Sequence, residues 1–181
     1  MEIDHNKIIT ISRNCDATMI PAGEKIVLIE GTHVRITQSL GGNFTVLVNG
    51  NLVKVLGQDA DALGLEEIIK KELKVPTRLA NEADIWDAMK QCFDPEIPVN
   101  IVDLGLIYDL KISGKKSEQN IHIKMTLTAP GCGMGPSIAQ DVENKVTSLN
   151  GINNVDVELV WDPQWERDMM SEDAKLQLGM L

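Results

Sequence analysis

Residues 128 to 137 read Thr-Ala-Pro-Gly-Cys-Gly-Met-Gly-Pro-Ser, which sets one thiol, Cys132, in the middle of a glycine-rich turn. An alternating apolar pattern (Ile121, Ile123, Met125, Leu127) runs into the turn, and a helical one (Ile138, Val142, Val146, Leu149) runs out of it. Gly131, Gly133 and Gly135 let the backbone reach positive φ and come close to a ligand. The unsatisfied N–H groups of the following helix point back toward the loop. Cysteines in such settings work as thiolates, the form that attacks electrophiles and binds soft metals. A dinucleotide fingerprint does not fit, because its third glycine would fall on Pro136, and no lysine follows in phosphate-loop spacing.

A second chemical segment is Phe93-Asp94-Pro95-Glu96-Ile97-Pro98, followed by Val102-Asp103-Leu104-Gly105-Leu106. Pro95 and Pro98 forbid helix and stiffen the chain beyond a helix expected to end near Phe93. Asp94 and Glu96 are therefore expected in a rigid loop, both partly exposed. There they suit metal contact, hydrogen bonding to backbone N–H groups, or acid–base work. Ordinary turn formation by an aspartate before proline accounts for the same residues.

Taken in order, Asp-Pro-Glu-Ile-Pro, Asp-Leu-Gly-Leu-Ile-Tyr and Thr-Ala-Pro-Gly-Cys resemble the motifs of the metal–sulfur cluster biosynthesis (PaaD-like) family, over residues 82 to 162. Arg13-Asn-Cys15-Asp-Ala, Ile20-Pro-Ala-Gly23 and Leu40-Gly-Gly-Asn-Phe-Thr-Val are similar to its SufT-type branch, which serves the SUF iron–sulfur assembly system. The resemblance implies a non-enzymatic maturation factor that holds a labile iron–sulfur cluster or iron. Its partners would be assembly proteins and client apoproteins. It assigns Cys132 as the cluster or iron ligand, with Asp94, Glu96 and Thr128 supporting it and Gly131 and Gly133 shaping the loop. Cys15 is a candidate second site. Where many members carry a second threonine and a proline after the cysteine, this chain has Ala129 and Gly133. Two alternatives stay open: a thiol enzyme with Cys132 as nucleophile, and a metal-free adaptor between assembly machinery and clients.

The elements that must position these residues fall into two units, 1–78 and 79–181, giving an α+β chain. In the first, small and all-β, short strands are expected at Ile26 to Ile29, around Val34 and Ile36, at Phe44 to Val48 and at Leu52 to Leu56, forming a small barrel or curled sheet. Asn49-Gly50 signals a type I′ hairpin, and Gly41-Gly42 supplies another turn. Cys15 falls in an irregular segment. A helix over Asp61 to Leu73 follows, with Leu65, Ile68, Ile69 and Leu73 as its stripe, and Val75-Pro76-Thr77 breaks it. The second unit reads as a two-layer α/β sandwich-like domain. Its helix is capped by Asn81, its strands lie at Ile107 to Ile112 and Ile121 to Thr128, its second helix starts at Ser137, and a third strand runs from Val155 to Leu159. Residues beyond Asp168 read as a short helix or tail. Cys92 and Trp161 are expected in the core, with Trp165 partly exposed.

The 181 residues carry 17 Lys and Arg against 27 Asp and Glu, a net charge of −10. That argues against nucleic acid, which demands a basic face, and leaves basic protein partners open. Three scattered cysteines fit a reducing compartment, and no apolar run approaches membrane-spanning length, so a cytoplasmic protein with no membrane partner is expected. His122 lies six residues from Thr128, about 20 Å along a strand at about 3.3 Å per residue, and no Cys/His set with zinc spacing occurs. One loop thiol per chain cannot complete a cluster that normally takes about four protein ligands, so a homodimer sharing two copies of Cys132, or dimerisation on cluster loading, is expected; the competing arrangement is one chain that recruits a small thiol or a client cysteine.

Overall fold

A computed structural model describes residues 7–65 and 77–180. The chain divides into two compact units, Met1–Lys74 and Val75–Leu181.

The first unit is one antiparallel sheet of six strands: β1 (Ile8–Thr10), β2 (Cys15–Ile20), β3 (Lys25–Leu28), β4 (His33–Leu40), β5 (Asn43–Val48) and β6 (Asn51–Val55), in the order β1-β4-β5-β6-β2-β3. Among the described residues the sheet is open, with β1 and β3 at its edges. Two glycine turns fold its centre. Asn49 and Gly50 take φ of 48° and 81°, as a type I′ hairpin requires, and Gly41 and Gly42 take 58° and 76°. Inward residues of the strands (Val34, Ile36, Phe44, Val46, Val53, Val55) bury together with Ala60, Ala62 and Leu63 of a 3-10 helix over Gly57–Leu63.

Three expectations change here. β1 and β2 escape the sequence pattern because β2 (CDATMI) mixes small and polar residues, and its buried positions include Cys15 and Ala17. Cys15 therefore opens a strand and does not lie in an irregular segment. The expected helix does not begin at Asp61: that residue lies inside a 3-10 helix over Gly57–Leu63, which Gly64 closes in the left-handed conformation, and the expected span from residue 66 onward lies outside the described residues. Ile68, Ile69, Leu73, Val75 and Pro76 lie outside the described residues.

The second unit carries α1 (Glu82–Met89), β7 (Ile107–Lys115), β8 (Glu118–Met125), α2 (Gly135–Thr147), β9 (Ile152–Leu159), a 3-10 turn (Arg167–Met169) and α3 (Glu172–Gln177). The strand order is β7-β8-β9, antiparallel then parallel. Asn81 starts α1 with a capping box: its side chain accepts from the Asp84 N–H, and the Asp84 carboxylate accepts from the Asn81 N–H. α2 buries Ile138, Val142 and Val146, one helical face, and packs against β9 and α1.

α1 stops at Met89, four residues short of Phe93. The chain tightens through bonds from Gln91 N–H to Ala88 and from Cys92 N–H to Met89 before the proline segment. Phe93 then forms an isolated bridge with Asn100.

Candidate functional site

The sheet of the second unit has one chemically equipped end. Ile107 at the start of β7, Met125 at the end of β8 and Leu159 at the end of β9 stand in register across the three strands. The acidic segment enters at that end, the cysteine loop leaves from it, and the tryptophan segment follows β9 out of it.

The cysteine loop is two linked turns. The Cys132 N–H donates to the Ala129 carbonyl at 3.3 Å, and the Cys132 carbonyl accepts from the Gly135 N–H at 3.2 Å. In the first turn Pro130 precedes Gly131, whose φ of 79° is the positive value a type II turn demands at its third position. Met134, fully buried, is the N-cap of α2 but contributes no side-chain cap, and Pro136 occupies the first helical turn. Gly135 fits flush against the strand ends: a Cβ there would lie 2.7 Å from Leu127 Cδ1 and 3.4 Å from Leu159 Cδ1. Met134 and Gly135 thus pin the loop while Cys132 stays partly exposed. Thr128 and Gly133 are half-buried, and Gly131 is exposed with open space around it.

The acidic loop is built from its own side chains. Asp94 Oδ1 accepts from the N–H groups of Glu96 (2.8 Å) and Ile97 (3.1 Å), an Asx turn. Asn100 Oδ1 repeats the device on Val102 and Asp103, while its Nδ2 donates to Asp103 Oδ2 at 2.6 Å. Ile101 N–H closes the loop onto the Cys92 carbonyl, and the half-buried Lys145 ammonium, paired with Asp141, donates to the Gln91 carbonyl at 2.8 Å. Asp94 is only 4% exposed. The expectation that both carboxylates of the pair are partly exposed therefore holds for Glu96 alone, because two backbone N–H groups draw Asp94 inward.

The two loops are joined by the chain itself, through the bond from Thr126 N–H to the Leu106 carbonyl at 2.8 Å. They do not form a metal cage. Among the described residues no group of three or more His, Cys, Asp or Glu side chains is placed to hold a metal ion.

The other cysteines are buried. Cys92 has no exposed surface, and its thiol faces the Ala88 carbonyl. Cys15, 3% exposed, belongs to the core cluster of the first unit. Burial first, and the Asp59 carboxylate second, push its thiol pKa up, so a ligand role would require that core to open.

Sequence reasoning missed the C-terminal segment as a builder of the site. Trp165 Nε1 donates to the Leu104 carbonyl at 2.7 Å, Ser171 N–H donates to the Asp103 carbonyl, and Gln177 Nε2 donates to the Pro98 carbonyl. Gly105 (φ 73°) lies so close to the Met169 backbone that no side chain fits between them. Trp161, expected in the core, is 46% exposed, because β9 ends at Leu159 and carries the next residues past the sheet. The glycine at 105 and the two tryptophans were visible signals, but a carbonyl as the indole's partner has no sequence signature.

Residues 82–159 match the family described as "Iron-sulfur cluster assembly protein". An "Fe-S protein maturation auxiliary factor" of Porphyromonas gingivalis is 44% identical over 103 residues, covering 57% of this chain and 95% of that protein. The chain belongs to this iron–sulfur cluster assembly family. The Bacillus subtilis "Fe-S protein maturation auxiliary factor YitW" is 40% identical, covering 56% of this chain and 96% of its own. The Staphylococcus aureus "Fe-S protein maturation auxiliary factor SufT" is also 40% identical, covering 48% and 96%. The family match spans both loops and Cys132, and ends at Leu159, before Trp161 and Trp165. No helix among the described residues is long and apolar enough to cross a membrane.

Proposed function

We propose that the chain is a non-enzymatic iron–sulfur maturation factor whose Cys132 takes a labile cluster or an iron ion as cargo and passes it to client apoproteins. One observation carries this reading. Of three thiols only Cys132 is accessible, and it projects from a pinned loop at the sheet end where the acidic segment is bonded to the same strand. Supporting it, relatives at 40–44% identity carry maturation-factor names. The acidic loop serves mainly as scaffold: Asp94 holds its turn, and Glu96 is the carboxylate left at the surface to meet cargo or client.

A lone thiolate binds iron weakly, which suits a carrier that must release its cargo. The remaining ligands come from outside the loop, from a second copy of Cys132, a small thiol or the client. Anaerobic reconstitution with iron and sulfide tests the reading. The wild-type chain takes up iron with visible thiolate-to-iron absorbance, and Cys132→Ser does not. Equal iron uptake by Cys132→Ser would remove the basis for it.

A further inference from the structure

The segment beyond the family match has an unusual surface. Residues 161–173 contain Asp162, Glu166, Asp168, Glu172 and Asp173 against a single base, Arg167, and all six are exposed. Among the described residues none of the five carboxylates forms an ion pair. The sheet-face acids of the same unit behave otherwise: Asp109 pairs with Lys111, Glu158 pairs with Lys124, and Asp156 is hydrogen-bonded to His122 at 2.7 Å. Two bases face this acidic run, Arg167 within it and Lys175 just beyond, whose Nζ donates to the Asp168 carbonyl at 3.3 Å, so the net charge stays negative; amid it stand Trp161, 46% exposed, and Met169, 37% exposed. Their setting is fixed by the fold, not by a loose tail. Val160 N–H donates to the Met125 carbonyl, Tyr108 Oη donates to the Pro163 carbonyl at 2.9 Å, and Trp165 is tied to Leu104. Because β8 and β9 run parallel and end in register, Trp161 leaves the sheet at the end from which the Cys132 loop also leaves.

We infer that Trp161 and the carboxylates of residues 162–173 form a docking surface for a lysine- or arginine-bearing segment of the client, presented beside Cys132. The identity of the occupant as client rests on the maturation-factor reading; the chemistry of the surface does not. An exposed indole among unpaired carboxylates favours a cation on three counts. The ring face attracts an ammonium or guanidinium, the aliphatic stem of lysine or arginine covers its apolar area, and the surrounding negative potential speeds encounter. Docking at this place would bring client ligands to the cargo.

Fluorescence anisotropy with the full-length chain provides the test. The probes are a labelled eight-residue peptide alternating arginine and leucine, the same peptide with glutamate for arginine, and one with serine for arginine. The arginine peptide is expected to bind, more weakly as salt rises, and the other two to bind little. Trp161→Ala weakens it about tenfold, as does the double change Glu166→Gln with Asp168→Asn, which touches no packed side chain. Unchanged binding in that double variant with a wild-type melt, or equal binding of the serine peptide, overturns the proposal. So does sedimentation showing that Trp161→Ala abolishes self-association while peptide binding is unaltered, which gives the surface to a second copy. Cys132→Ser separates the two readings, since it should abolish iron uptake and leave peptide binding intact. Loss of the peptide result alone removes the docking surface and leaves the cargo role standing.

Discussion

The backbone N–H of Thr126 donates to the carbonyl of Leu106 at 2.8 Å, one residue beyond the last paired residue of β8. That bond joins the strand leading to Cys132 with the last residue of the acidic motif. A buried backbone pair of this kind is costly to leave unmade, about 1–3 kcal/mol per unsatisfied group.

Thiol accessibility follows directly. Cys132 is partly exposed, while Cys92 and Cys15 are buried. Iodoacetamide at neutral pH, followed by mass spectrometry, is expected to modify Cys132 first, with the other two reacting only as the chain opens. Cys92 labelling at a comparable rate would contradict the described packing.

Asp94 and Glu96 are expected to separate sharply under substitution. Asp94→Ala strips the acceptor from two backbone N–H groups and should cost about 1–3 kcal/mol in a denaturant melt. Asp94→Asn keeps an acceptor oxygen and should cost less. Glu96→Gln, at the surface, should stay within about 0.5 kcal/mol. A reduction in client maturation by Glu96→Gln, with the melt unchanged, would show a contact with cargo or client.

Two glycines with similar backbone angles give a matched pair. Gly131 (φ 79°) has open space where a side chain would go, and Gly105 (φ 73°) faces the Met169 backbone. Gly131→Ala is expected to cost about 1–2 kcal/mol, the left-handed penalty alone. Gly105→Ala adds overpacking of about 1–3 kcal/mol and should also loosen the C-terminal segment, read as faster proteolysis after Arg167. Equal costs for the two would argue against the close approach.

Acid stability has a defined direction in α1. The Arg78 guanidinium, bonded to both oxygens of Asp84, and the Asn81 N–H together hold that carboxyl below the usual aspartate range. A lowered folded-state pKa contributes stability that is present above the unfolded value, about 3.9, and is lost as pH falls through the lower folded value. Asp84→Asn is therefore expected to destabilise near pH 7 and to flatten the fall in melting temperature below about pH 4. Parallel acid profiles for the two proteins would assign the loss to other groups. Asp61, lowered by Arg13 in the first unit, acts in the same sense.

Local chemistry was readable from the sequence wherever a residue type has one main use. Asn49-Gly50 can hardly do anything but turn a hairpin, Asn81 three residues before Asp84 caps a helix, and the Ile138, Val142, Val146 repeat buries one helical face. The three motifs around Asp94, Asp103 and Cys132 also announced a site, because proline and glycine restrict the backbone independently of what lies around it. What only the tertiary structure decided depends on partners distant in the chain. β2 is a strand because β3 and β6 pair with it on either side, which overrides a composition that says little. Asp94 is buried and Trp161 exposed, against expectation, because backbone donors two and three residues on capture the carboxylate, and because β9 stops before the tryptophan is covered. That the indole of Trp165 lands on the carbonyl of Leu104, 61 residues earlier, was set by the parallel pairing of β8 and β9. Residue identity dictates what a short stretch of backbone can do; the meeting of stretches far apart is settled by burial and pairing that no single stretch encodes.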